Sequence, residues 1–190
     1  MGHSIIIIST GGTIAMTAEL LQAGGEIKLG VAGLLAAIPS LGEIARIEGR
    51  DVLAKPSSSF TLSDIKTIAD AASKAAQEAD GVVITHGTDT LEETAFALSL
   101  LVQTETPIVI TGAMRRPDQL GADGPANVAA ACRVAASPTA RGKGVLVVMG
   151  DEIHSSAFVR KIHSFRPHAF SSLAWISTED KSANMGGMKD

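Results

Sequence analysis

The sequence predicts a three-layer α/β/α domain on a mainly parallel sheet, Rossmann-like or flavodoxin-like in class. Short runs dense in Val and Ile, such as Ile5-Ile6-Ile7-Ile8 and Val145-Leu146-Val147-Val148, recur along the chain between Gly, Pro or Asp, and an unbroken apolar strand is one buried on both faces. Longer segments with apolar residues at helical spacing lie between them. Strand and helix alternate, which is the pattern of a parallel sheet with helical crossovers.

Taken in chain order, strands are expected over 4–9, 45–53, 81–85, 107–111 and 144–149, and helices over 31–38, 63–78, 91–102 and 127–136. The helix over 63–78 is the clearest, with Ile65, Ile68, Ala69, Ala72 and Ala76 on one face. Ser63 or Asp64 is expected to cap it, and Asp89 or Thr90 to cap the helix over 91–102, because a side-chain oxygen there satisfies a free N–H of the first turn. From Ser171 onward no period is visible, so residues 171–190 read as a loose tail. The 190 residues otherwise suit a single domain, 1–190, with one α/β core.

Composition narrows the function. The longest apolar stretches are strand-sized, far below the roughly 18 residues of a membrane span. The start Met1-Gly2-His3-Ser4 lacks a signal peptide's basic region, and a single cysteine, Cys132, has no internal disulfide partner. A cytoplasmic protein is expected. A formal net charge of -4 gives no electrostatic footprint for nucleic acid, although Arg115-Arg116 and the stretch from Arg160 to Arg166 are locally basic. Neither the Gly-x-Gly-x-x-Gly fingerprint nor the Walker pattern is present, and no serine sits in a Gly-x-Ser-x-Gly elbow. His154, His163 and His168, with Asp151 and Glu152, match no zinc spacing, and Cys132 sits in an apolar helix as a core residue. The expectation is a small-molecule ligand with no cofactor and no metal.

Four segments place hydrogen-bonding residues at the ends of expected strands, where a parallel sheet borders its ligand crevice. They are Thr10-Gly11-Gly12-Thr13-Ile14-Ala15; Thr85-His86-Gly87-Thr88-Asp89-Thr90; Thr111-Gly112-Ala113-Met114-Arg115, continuing to Ala122-Asp123-Gly124-Pro125 and Asn127; and Gly150-Asp151-Glu152-Ile153-His154, leading on to Lys161. Each alone reads as a turn or a helix cap. The second packs five polar side chains into six residues, and capping uses one or two of them.

Together these segments resemble the two signature stretches of the bacterial-type L-asparaginase/glutaminase family, the second running on through Leu91-Glu92-Glu93-Thr94-Ala95. The likeness spans nearly the whole chain as that family's N-terminal domain; the smaller C-terminal domain usual in the family is missing from this sequence. It implies hydrolysis of the L-asparagine side-chain amide through an acyl-threonine, with weaker action on L-glutamine. Thr13 is then the nucleophile, and Thr88 with Asp89 and Lys161 the second catalytic group. Ser57 and Asp89 hold the carboxylate and amine of the amino acid, with Gly12, Ser58, Gly87 and Thr88 beside them, and Ala113 offers its carbonyl to the leaving amide. A homo-oligomer, dimer or tetramer, is implied as well.

The family's mobile segment carries a tyrosine near the nucleophile, whereas this chain has no tyrosine. The proton of Thr13 is therefore assigned first to Lys161, then to a glutamate of the segment 16–30, which holds Glu19, Gln22 and Glu26, with water or another subunit as the remaining alternatives. Two other readings compete with an amidohydrolase. One is a non-catalytic amino-acid-binding or regulatory module, and the other an amidase for a larger amide substrate.

Overall fold

Four of the expected strands consist of β-branched and aliphatic residues whose alternate side chains bury on opposite faces, and this sets the architecture. The computed structural model describes residues 2–12 and 31–172. In chain order these hold β1 (Ser4–Ser9), α1 (Val31–Ala37), α2 (Leu41–Ile44), β2 (Arg46–Asp51), α3 (Leu62–Glu78), β3 (Gly81–Thr85), α4 (Leu91–Leu101), β4 (Ile108–Thr111), α5 (Gly124–Ala136), β5 (Val145–Met149), β6 (Glu152–Ser155), β7 (Val159–Lys161) and β8 (Phe170–Ser172). The main sheet runs β2-β1-β3-β4-β5-β6. Its first five strands are parallel and β6 is antiparallel to β5.

Two cores flank this sheet. Ile5, Ile7, Val83, Val109, Leu146 and Val148 face a layer made of α1, α2 and α5. Ile6, Ile8, Val82, Ile84, Ile110 and Val147 face α3, α4 and the β7–β8 hairpin. The period-two alternation along each strand thus feeds both layers. Ile7 and Ile8 are fully buried, and each such side chain contributes about 2 kcal/mol by leaving water. The α/β/α expectation is met.

The boundaries and caps differ in instructive ways. The second strand spans Arg46–Asp51 rather than 45–53, because Val52 and Leu53 turn aside and donate their N–H groups to the Ser9 carbonyl. The cap of α3 is Thr61, not Ser63 or Asp64; Asp64 sits three residues on and answers the Thr61 N–H in a capping box. Thr90 does stand at the N-cap of α4, but its hydroxyl donates to the Ser57 carbonyl at 2.9 Å instead of capping. Helix α5 begins at Gly124, three residues earlier than expected, with Pro125 in its first turn. Ser171 and Ser172, expected in a loose tail, form β8 against Val159 and Arg160; the remainder of that tail, 173–190, lies outside the described residues.

The turn between β5 and β6 is Gly150-Asp151, with φ of 58° and 66°. Two central residues in the left-handed region make the type I′ turn that suits a two-residue hairpin.

Candidate active site

Because β1, β3, β4 and β5 run in parallel, their carboxyl ends and the loops that follow lie side by side. Thr10 donates its N–H and its hydroxyl to the Thr85 carbonyl, at 3.1 and 2.8 Å. His86 donates its N–H to the Thr111 carbonyl at 2.9 Å. These bonds extend the sheet by one residue and bring the first three segments into register.

Glycine permits the next step. Gly12 has φ +84°, and a Cβ there would fall 2.8 Å from both the Cα and the N of Gly87. A Cβ on Gly87 would in turn fall 2.7 Å from Ser57 Oγ. Gly12, Gly87 and Ser57 are therefore stacked at distances that only a bare backbone allows. Ser57 is buried, and its Oγ has no partner among the described residues. Ser58, in the same short turn, is exposed. Among the described residues the backbone N–H groups of Thr88 and Asp89 have no acceptor, so they stand as donors at the entrance to α4.

The fourth segment returns from farther away. Lys161, at the end of β7, donates from Nζ to Thr88 Oγ1 at 2.9 Å across 73 residues of sequence. Asp89 Oδ1 lies 3.6 Å from the same Nζ; the lysine side chain is 20% exposed, the aspartate 63%. An amine drawn this far out of solvent needs partners, and here it has a hydroxyl and a carboxylate. Thr88, Asp89 and Lys161 therefore meet as expected. Ala113 is buried in the α5-side core. Thr13, together with Glu19, Gln22 and Glu26, lies outside the described residues.

The loop after β4 is fixed by two side chains of the third segment, whose part in holding it goes beyond the helix cap expected there. Asp123 accepts the N–H groups of Met114 and Arg115 at 3.0 and 2.9 Å. Asn127 donates from Nδ2 to the Gly112 carbonyl at 3.0 Å and accepts the Gly150 N–H at 3.2 Å. The sequence signal was present as Asp123 and Asn127, four apart at a helix start.

A family model described as Asparaginase, N-terminal matches residues 4–182. The chain belongs to the asparaginase family. It is 40% identical over 177 residues to L-asparaginase 2 of Bacillus subtilis, covering 89% of this chain and 46% of that protein. It is 42% identical over 174 residues to a glutaminase-asparaginase of Pseudomonas aeruginosa, with 89% and 48% covered. A crystal structure of a probable cytoplasmic L-asparaginase from Campylobacter jejuni superposes with a TM-score of 0.81 at 37% identity, over 90% of this chain and 51% of that one. The chain thus spans about half the length of the relatives it matches.

Within this asparaginase-family site, His86 is a further buried polar residue. Its Nδ1 lies 2.6 Å from the Gly87 carbonyl and so carries the proton it donates, while Nε2 has no partner among the described residues. Phe60 meets the ring edge-on, with centroids 5.0 Å apart. Burial pulls the imidazole down to about 4 against the Gly87 hydrogen bond, so it is neutral at pH 7. The remaining candidates have structural partners. Cys132 is fully buried and its thiol is pushed up to about 12 by burial, which suits a core residue rather than a nucleophile. His154 is buried with Nδ1 3.0 Å from Ser172 Oγ, and His163 Nδ1 accepts N–H groups from Phe165 and Arg166.

Proposed function

We propose that this chain hydrolyses the side-chain amide of L-asparagine to L-aspartate and ammonia through an acyl-threonine on Thr13, with weaker action on L-glutamine. The observation that carries the reading is the Lys161 Nζ to Thr88 Oγ1 hydrogen bond at 2.9 Å, with Asp89 beside it. A mostly buried amine set on a hydroxyl is equipped to move a proton, whereas a lysine serving solubility has no use for that position. The relatives' names, L-asparaginase and glutaminase-asparaginase, support the same chemistry.

In this reading the Thr13 hydroxyl attacks the amide carbon, and its proton passes to the Lys161 amine by way of Thr88. The backbone N–H groups at the start of α4 and in the Gly11-Gly12 turn stabilise the oxyanion, a contribution worth several kcal/mol in a water-poor site. The C–N bond breaks as the protonated amine returns its proton to the leaving nitrogen, and ammonia departs. Water then cleaves the threonyl ester and frees aspartate. Asp89, 3.6 Å from Nζ, lies beside the ammonium that forms when the amine takes the Thr13 proton. Asp89 also receives the substrate amine, Ser57 the α-carboxylate with Gly12, Ser58 and Gly87 around it, and the Ala113 carbonyl accepts from the leaving amide.

The same reading includes a small-molecule substrate, no cofactor, a cytoplasmic location and assembly into a dimer or tetramer. Among the described residues no helix is long and apolar enough to cross a membrane. Ammonia release from L-asparagine and L-glutamine by the full chain tests the chemistry. Thr13→Ala and Lys161→Met should each lower kcat by about 10³-fold or more. Turnover untouched by both substitutions would sink the mechanism.

A further inference from the structure

The Thr88–Lys161 contact joins a helix start to a hairpin whose strands form a two-stranded sheet of their own. We propose that Glu92 is the positioning residue for Lys161. Its carboxylate, in the first turn of α4, grips the lysine's backbone and so sets where the amine meets Thr88. The inference rests on the reading above, in which that amine acts in catalysis.

Strand geometry supplies the reason. In the β7–β8 pair, Ile162 donates its N–H to the Ala169 carbonyl at 2.7 Å. Successive N–H groups of a strand point to opposite edges, so the N–H of Lys161 points away from β8, toward α4. There Glu92 Oε2 accepts it across 69 residues of sequence. Glu92 lies in the first turn of α4, and Thr88 stands two residues before its N-cap, Thr90. A single helix start therefore holds the lysine at both ends, by the backbone through Glu92 and by Nζ through Thr88.

A carboxylate suits the task. It accepts a charge-assisted bond, stronger than a neutral acceptor would make, and in the first turn of a helix it interacts favourably with the macrodipole. Without it the four-carbon stem of the lysine would swing from an edge strand, and a misplacement of about 1 Å can cost on the order of 10²-fold in rate. Glu93, the next residue, is exposed and serves as the control.

The test uses the full chain with Glu92→Ala, Glu92→Gln and Glu93→Ala, each in the parent and in a Lys161→Met background, assayed by ammonia release. Glu92→Ala should lower kcat by about 10²-fold with KM within about threefold, and Glu92→Gln, which keeps an acceptor oxygen, should recover most of the loss. In the Lys161→Met background Glu92→Ala should cause no further loss, because the carboxylate acts through the lysine. Equal fold losses in the two backgrounds, or a kcat indifferent to Glu92→Ala, overturns the proposal. A second readout does not need turnover: brief acetic anhydride labelling followed by peptide mass analysis. Lys161 should be acylated about fivefold faster in Glu92→Ala than in the parent, with Lys66 unchanged, as its local tether is released. An unchanged Lys161 rate overturns the positioning role. A parent chain without amidase activity whose Lys161 labelling still responds to Glu92→Ala would count against the proposed function alone.

Discussion

At the amino end of the sheet, Ser4 donates both its N–H and its hydroxyl to Asp80 Oδ2 at 2.8 Å, and Asp80 returns its N–H to the Ser4 hydroxyl at 3.2 Å. At the carboxyl end, Ser57 Oγ, Thr85 Oγ1 and His86 Nε2 are all buried without a partner among the described residues. A buried polar atom left unpaired costs about 1–3 kcal/mol, while a paired one contributes about 1 kcal/mol. The two ends of one sheet therefore serve different purposes. The amino end is finished for stability. The carboxyl end holds polar atoms that the described residues leave unpaired where the glycine stack and the amine lie, as a binding crevice would.

Three substitutions probe that contrast. The largest effect is expected for Gly87→Ala, which puts a carbon 2.7 Å from Ser57 Oγ, between the second loop and the turn that holds Ser57. Overpacking of this kind costs about 1–3 kcal/mol of stability, and kcat/KM for asparagine should fall by about 10²-fold as the loops separate. Steady-state assays alongside thermal melts measure both. Near-normal activity would mean that the close stack is not what shapes the crevice.

Next comes His86. Its pKa, held near 4 by burial against 6.5 in the ordinary range, is lower in the folded chain than in the unfolded one. The unfolded state thus binds more protons between those values, so stability present above pH 6.5 is lost as pH falls toward 4. The full span amounts to roughly 3 kcal/mol. Urea unfolding across that range should show the slope, and His86→Gln should flatten it. The smallest effect belongs to the amino end: Ser4→Ala removes the exchange with Asp80 at about 1 kcal/mol and should leave turnover unchanged. Loss of activity there would blur the distinction between the two ends.

Much of this was legible in the sequence, for physical reasons. Ile5 to Ile8 and Val145 to Met149 declare strands because they bury both faces, and residues 85–90 point to a candidate site because their five polar side chains exceed what a helix cap uses. The strands that escaped are β6, β7 and β8, three or four residues each, mixing Glu152, His154, Arg160 and Ser171 with a few apolar side chains. Their pairing comes from contacts made after the main sheet exists, which no local period records. Glu92 escaped in the same way: it reads as an ordinary first-turn carboxylate, and its partner is 69 residues away. Thr61 was missed as a cap because the polar run Thr61-Leu62-Ser63-Asp64 offers three candidates, and reciprocal bonding with Asp64 decides among them.

The antiparallel turn at Gly150-Asp151 has a consequence for reach. A parallel continuation from β5 would need a crossover of a dozen residues or more before another strand could begin. The hairpin instead sends the chain straight back as β6 and then into β7, so Lys161 arrives beside α4 within that same span. Chain length between Met149 and Lys161 becomes a ruler for an amine. A residue added or removed between Ser155 and Val159 would move Nζ along the threonine it serves, while the sheet beneath stayed as it is.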